Sequence, residues 1–299
     1  MKRFEEYKES TVGGYDTPCQ VNEENSGKVV EYITQWLLDY STKTSTNGYV
    51  MGVSGGIDSA VVSTLCAKTG LPLTVVEMPI HQDESQVSRA KEHIQFLKDN
   101  YNNVKSLEVD LTNTYDGMCE PLRVDGVSEE DFQFTMANTR SRLRMVTLYG
   151  IAGQTGSLVC GTGNRVEDFG VFFFTKWGDG GVDVSPIGDL MKTEVYIIGK
   201  TLGVNEEILK ATPTDGLHGD SRTDEEQIGA TYPELEWAME YVDEYTYHDE
   251  HGEVFDDKEA FMLNDREKEV LSIYLSFHKK GKHKSEPIPV CGLPGNLFS

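Results

Sequence analysis

Tyr49-Val-Met-Gly-Val-Ser-Gly-Gly-Ile-Asp-Ser-Ala60 reads as a buried strand, Tyr49 to Val53, that breaks at Ser54, Gly55 and Gly56 and opens a helix at about Ile57. Two adjacent glycines let the backbone turn sharply and approach a ligand, because no Cβ stands in the way. The free N–H groups of the new helix, together with its dipole, favour an anion above them. Ser54 and Ser59 add hydroxyls that suit phosphate, and Asp58 adds a carboxylate. Phosphate has no use for a carboxylate; a metal ion riding on the phosphate does. The stretch therefore reads as a pocket for a Mg²⁺-pyrophosphate. A Walker loop is excluded, since no G-x-x-x-x-G-K-[ST] run occurs, and Gly161-Thr-Gly163-Asn-Arg-Val166 lacks the third glycine of a dinucleotide fingerprint.

On both sides of the loop, strands alternate with helices. Helical spacing of Val29, Ile33, Trp36 and Leu37 predicts a helix over residues 25–40. Leu73 to Met78 and Ser106 to Leu111 read as further strands, with a capped helix between them starting near Asp83. A helix from Phe132 to Ile151 leads to a fourth strand, Ser157 to Gly161. This alternation predicts an α/β fold, a doubly wound parallel sheet whose ligands lie at the carboxyl ends of the strands. Residues 54–59 and 161–167 both follow strands and are expected to face one crevice. Further on come a tight turn at Gly178–Gly181 and a helix from Met191 to Leu202. Beyond Pro213 the chain turns acidic over residues 220–226 and 243–257, and the second run reads as a mobile, solvated loop. Asn264 to Phe277 recovers helical periodicity, so a single domain over residues 1–299 with C-terminal helical additions is expected.

Composition narrows the function. A formal net charge of −23 argues against nucleic acid as a partner, because a polyanion would be repelled. No apolar stretch is long enough to span a membrane and Met1-Lys-Arg-Phe-Glu-Glu has no signal-peptide character, which predicts a cytoplasmic protein. The five cysteines (Cys19, Cys66, Cys119, Cys160, Cys291) are scattered, without a C-x-x-C pair, and read as reduced thiols.

The Ser54–Ser59 loop resembles that of the N-type ATP pyrophosphatases, which split ATP between its α and β phosphates, adenylate an oxygen and let nitrogen or sulfur displace AMP. Four more motifs make residues 25–290 similar to the ammonia-dependent NAD synthetase family. They are Asn138-Thr-Arg-Ser-Arg142-Leu-Arg144, Gly161-Thr-Gly-Asn-Arg-Val-Glu167, Phe173-Phe-Thr-Lys176-Trp-Gly-Asp-Gly-Gly-Val-Asp183, and His283-Lys284. The resemblance implies an adenine nucleotide alpha-hydrolase-like, Rossmann-like fold and an ordered reaction, the last step of NAD biosynthesis. The carboxylate of deamido-NAD attacks ATP to give an adenylate and pyrophosphate, and ammonia then gives NAD⁺ and AMP.

It also implies residue roles. Ser54, Gly55, Gly56, Asp58, Ser59, Thr162, Lys192 and Thr214 would bind ATP. Asp58 and Glu167 would hold Mg²⁺. Arg142, Lys176, Asp183, His283 and Lys284 would bind deamido-NAD. Asp58, Lys192 and Asp179 would carry catalysis, Asp179 by orienting ammonia or accepting a proton. No glutaminase domain precedes residue 25, so ammonia is the expected nitrogen donor, and a homodimer is expected from the family. Two positions depart from the pattern: Ser141 stands where alanine is usual, expected to alter packing alone, and the segment from Glu167 to Lys176 is one residue longer than in the commonest form. The rival functions are another N-type pyrophosphatase, such as a GMP synthetase-like amidase, and a non-catalytic ATP sensor. A tRNA thiolase would want placed cysteines and a basic surface.

Overall fold

The computed structural model describes residues 21–214, 223–249, 252–256 and 260–293. The chain begins its fold with α1 (Ser26–Thr44), whose Val30, Ile33 and Leu37 form a buried stripe. Then come β1 (Tyr49–Gly52), α2 (Ile57–Lys68), β2 (Leu73–Glu77), α3 (Glu84–Asn100) and β3 (Val104–Glu108). Asp83 caps α3 by accepting the Ser85 N–H, which supplies a partner for a donor the helix itself cannot satisfy. Next are α4 (Thr112–Cys119), the long α5 (Glu129–Thr155), capped by Ser128, and β4 (Leu158–Val159).

The four strands form one parallel sheet in the order β3-β2-β1-β4. Side chains of β1 alternate between its faces. Tyr49 and Met51 pack with α1, α2 and α3, whereas Val50 joins Phe132, Met136 and Tyr115 of α5 and α4. A strand buried on both sides explains the continuous apolar run. The expected doubly wound α/β sheet is what the chain forms, and the crevice lies beyond the carboxyl ends of its strands.

After β4 the chain crosses the crevice and makes α6 (Lys192–Thr201), α7 (Glu206–Lys210), α8 (Asp224–Ile228) and α9 (Tyr232–Tyr245). A hairpin of β5 (Thr246–Asp249) and β6 (Gly252–Phe255) leads to α10 (Asp265–Gly281). Leu235, Trp237, Tyr241, Val270 and Tyr274 build a separate core for these helical additions, into which Val166 and Met191 also pack. The hairpin corrects the expectation of a solvated loop at residues 243–257. In the described part of that run, α9 continues to Tyr245 and an antiparallel pair follows, with Phe255 edge-on to Tyr241. The acidic side chains concealed both elements.

Cys66 and Cys160 are buried thiols with their sulfurs 3.6 Å apart, Cys119 and Cys291 form no disulfide either, and Cys19 lies outside the described residues. Residues 1–6 and the first three of the acidic run at 220–226 also lie outside them. Among the described helices none is long and apolar enough to cross a membrane.

Candidate active site

The loop after β1 is shaped by what crosses over it. Gly55 has a φ of 80°, and a Cβ there would lie 2.5 Å from the carbonyl oxygen of Gln86 on α3. Only glycine fits, so α3 can press onto the turn. Arg89 of α3 then donates from Nε to the Gly55 carbonyl at 3.2 Å. Inside the loop the Ser54 N–H donates to Ser59 Oγ at 3.2 Å, the two hydroxyls lie 3.1 Å apart, and the Gly56 N–H donates to Ser54 Oγ at 3.3 Å. Gly56, the residue before α2, has no side-chain cap on that helix, so the N-terminal N–H groups of α2 are left for a ligand.

Three charges meet beside this loop. Lys192 Nζ donates to Asp58 Oδ2 at 2.6 Å and to Glu167 Oε1 at 2.9 Å, with only 3% of the lysine side chain exposed. Lys192 opens α6, and a cation at a helix N-terminus is disfavoured by the dipole; the two carboxylates offset that. The first turn of α6 is held independently. Glu194 accepts the Met191 N–H at 2.8 Å, and buried Glu236 of α9 accepts both the N–H and the hydroxyl of Thr193.

Asn164 ties the carboxylates together, donating from Nδ2 to Asp58 Oδ1 at 3.1 Å while its Oδ1 accepts the Glu167 N–H at 3.1 Å. Tyr232, the first residue of α9, donates its hydroxyl to Glu167 Oε1 at 2.6 Å, and Lys192 sits over its ring. Burial lifts Asp58 above the usual carboxylate range against the pull of Lys192. Burial acts the same way on Glu167 but is outweighed by Lys192 and by the Tyr232 bond, so Glu167 lies below its usual range. Lys192 is held firmly protonated, because the two carboxylates overcome its burial.

A cleft of about 600 Å³ opens from this point. Of the residues anticipated from sequence, Ser54, Gly56, Asp58, Ser59, Thr162, Glu167, Asp179, Lys192, Thr214 and Lys284 line it. Asp179 is solvent-accessible within the cleft yet surrounded by protein, and burial raises its carboxyl. Lys284 donates to the carbonyls of Phe172 and Phe174 at 2.9 and 2.8 Å, and burial lowers its ammonium. Arg142, Lys176 and His283 form a second group away from the cleft lining. There Lys176 Nζ donates to the His283 carbonyl at 2.9 Å, and Arg142 reaches the Lys176 carbonyl at 3.5 Å.

Asp183 stands apart from both groups. Its carboxylate accepts the Val159 N–H at 2.8 Å and the Tyr149 hydroxyl at 3.0 Å. Ser141 corrects the expectation of a packing role alone, since its hydroxyl bonds Asp179. Asp168, beside Glu167, was not anticipated; burial, with Glu167 and Asp179 nearby, pushes its carboxyl up to about 8. Tyr232 and Arg89 were missed as well, and no local pattern marks either of them.

Known proteins share this arrangement of sequence and fold. The sequence model of the family described as NAD synthase matches residues 29–286. An NH(3)-dependent NAD(+) synthetase of Carboxydothermus hydrogenoformans is 36% identical over 212 residues, 69% of this chain and 82% of the relative. An NMN synthetase from Francisella tularensis superimposes with a TM-score of 0.73 and 28% identity, over 90% of this chain and 99% of that one. An NH3-dependent NAD synthetase from Campylobacter jejuni, at 21% identity, shares the fold with a TM-score of 0.68 over 89% and 99% of the two chains. A match running through all five motifs, from the loop to the C-terminal histidine–lysine pair, places the chain in a family: it belongs to the NAD synthases.

Proposed function

We propose that the protein is an ammonia-dependent NAD synthetase, amidating deamido-NAD in the last step of NAD biosynthesis, with ATP as co-substrate. The observation that carries this is the convergence of Asp58, Glu167 and Lys192 beside the Ser54–Ser59 loop. A carboxylate oxygen of the substrate attacks the α-phosphorus of ATP and pyrophosphate leaves. Ammonia then attacks the activated carbonyl, the C–N bond forms, and AMP departs with the electrons of the broken C–O bond. No protein nucleophile is needed. Ser54, Gly55, Gly56 and Ser59 hold the departing pyrophosphate, while Thr162, Lys192 and Thr214 complete the ATP site. Preorganised charge of this kind is usually the largest catalytic term.

Asp58 and Glu167 are the residues to hold Mg²⁺. They fit it: oxygens from both already meet a single cationic atom, Lys192 Nζ, at 2.6 and 2.9 Å. Two hard oxygens suit a cation that keeps the rest of its shell on phosphate and water. When bound, the ion neutralises charge on the leaving pyrophosphate. Arg142, Lys176, Asp183, His283 and Lys284 are assigned to deamido-NAD, and Asp179 to ammonia.

We infer further a single domain, a homodimer and a cytoplasmic protein without a nucleic-acid partner. The charge of −23 supports the last point.

A second substrate is favoured by one observation, the similarity to the Francisella NMN synthetase: nicotinic acid mononucleotide, which carries the same reacting carboxylate. The test is product analysis with purified protein, Mg²⁺ and ATP, offering each acid in turn with ammonium or with glutamine. Equal yields of NAD⁺, AMP and pyrophosphate from deamido-NAD and ammonium are expected. Turnover of the mononucleotide alone would reassign the substrate, and ATP binding without turnover of either would favour a sensor.

A further inference from the structure

The turn over residues 175–179 is docked on one face of α5 by two residues three positions apart. Asn138 Oδ1 accepts from the Thr175 hydroxyl at 2.7 Å. Ser141, 5% exposed, donates from Oγ to Asp179 Oδ1 at 2.7 Å and accepts the Asp179 N–H on the same oxygen at 2.9 Å. The contact is close enough to dictate its neighbour, since a Cβ on Gly178 would lie 2.3 Å from Ser141 Oγ. The Thr175 N–H adds a second bond to Asp179 Oδ1, at 3.0 Å. Both donors thus fall on one carboxylate oxygen of a residue that lines the cleft.

We propose that Ser141 is a positioning residue for nitrogen transfer: it fixes Asp179 by one carboxylate oxygen and its N–H, leaving the other oxygen to receive ammonium in the cleft. This rests on the reading of Asp179 given above. The free oxygen takes one proton from ammonium, and the released lone pair forms the C–N bond to the activated carbonyl. The C–O bond to AMP breaks with its electron pair leaving on AMP, and the remaining excess proton on the new nitrogen passes to water.

A hydroxyl donating to a carboxylate stabilises its charged form. Burial raises Asp179, as does the negative charge of Glu167, while Ser141 and the backbone N–H groups lower it. Asp168 and the Lys284 ammonium are its other titratable neighbours. Loss of the Ser141 hydroxyl therefore raises Asp179 further, and the acid limb of ammonium use moves to higher pH.

The experiment compares wild type with Ser141→Ala, Asp179→Asn and the double variant. Two half-reactions are followed: exchange of labelled pyrophosphate into ATP that depends on deamido-NAD, and ammonium-dependent NAD⁺ formation across pH. Ser141→Ala is expected to raise the ammonium KM about tenfold, the size of one bond to a charged group. It should also shift the acid limb upward and change the exchange less than about twofold, within the scatter of a conservative substitution. In the Asp179→Asn background it should add nothing, because coupled residues are not additive. An unchanged ammonium KM and pH limb, an additive loss in the double variant, or an equal loss in both half-reactions would overturn the proposal. Absence of exchange in the wild type would overturn the amidation reading, and this proposal with it.

Discussion

Replacing Lys192 by methionine keeps the side-chain volume while removing the charge that Asp58 and Glu167 share at 2.6 and 2.9 Å. Breaking a buried ion pair on one side leaves uncompensated charge and costs about 3 kcal/mol. For a chain of this length that corresponds to a fall of about 5 °C in Tm. The deficit depends on pH. In the variant, burial raises both carboxylates with no cation to oppose it. A group whose folded pKa lies above its unfolded value favours the fold at low pH and loses that contribution as pH rises. The variant is therefore least stable relative to wild type near pH 8, and the gap narrows as pH falls toward about 5. Activity should drop by about 10²–10³, the loss of one preorganised charge. Thermal melts at both pH values and NAD⁺ formation by chromatography measure the two effects. A loss of activity below about threefold, with an unchanged Tm, would refute the reasoning, because one electrostatic donor at the reacting phosphates is worth more.

Asp58→Asn should abolish metal-dependent turnover while the protein stays folded by circular dichroism; near-normal activity would take Asp58 out of the site. Tyr232→Phe removes only the hydroxyl that reaches Glu167 at 2.6 Å. It should raise the Mg²⁺ concentration for half-maximal rate about tenfold, and an unchanged metal requirement would make Tyr232 a packing residue. Arg142→Ala should chiefly raise the KM for deamido-NAD, read from steady-state kinetics. An effect confined to ATP would put Arg142 on the wrong substrate.

What was legible in the sequence was local. Ser54, Gly55, Gly56, Asp58 and Ser59 are contiguous, so strand, turn and helix could be read together with the chemistry they present. Lys192 lies 134 residues from Asp58, and only the resemblance pointed to it. Tyr232 reaches Glu167 from the start of α9, where its place was set by a capping box at Thr231 and Glu234. A capping box announces a helix and says nothing of a ligand. Ser141 was read as a change of volume, whereas its effect is a hydrogen bond, which depends on where the turn at 175–179 docks. The acidic run at 243–257 misled for another reason. Within it the end of α9 carries Asp243 and Glu244, both exposed, so no apolar period announced the end of that helix or the hairpin after it.

The central claim is that the cleft activates a substrate carboxylate by attaching it to AMP before nitrogen arrives. Deamido-NAD carrying ¹⁸O in its carboxylate, turned over with ATP and ammonium and analysed by mass, tests this most directly. One labelled oxygen in AMP per NAD⁺ formed, with none in pyrophosphate, is the predicted result. Label in pyrophosphate or inorganic phosphate, or unlabelled AMP alongside NAD⁺, would contradict it.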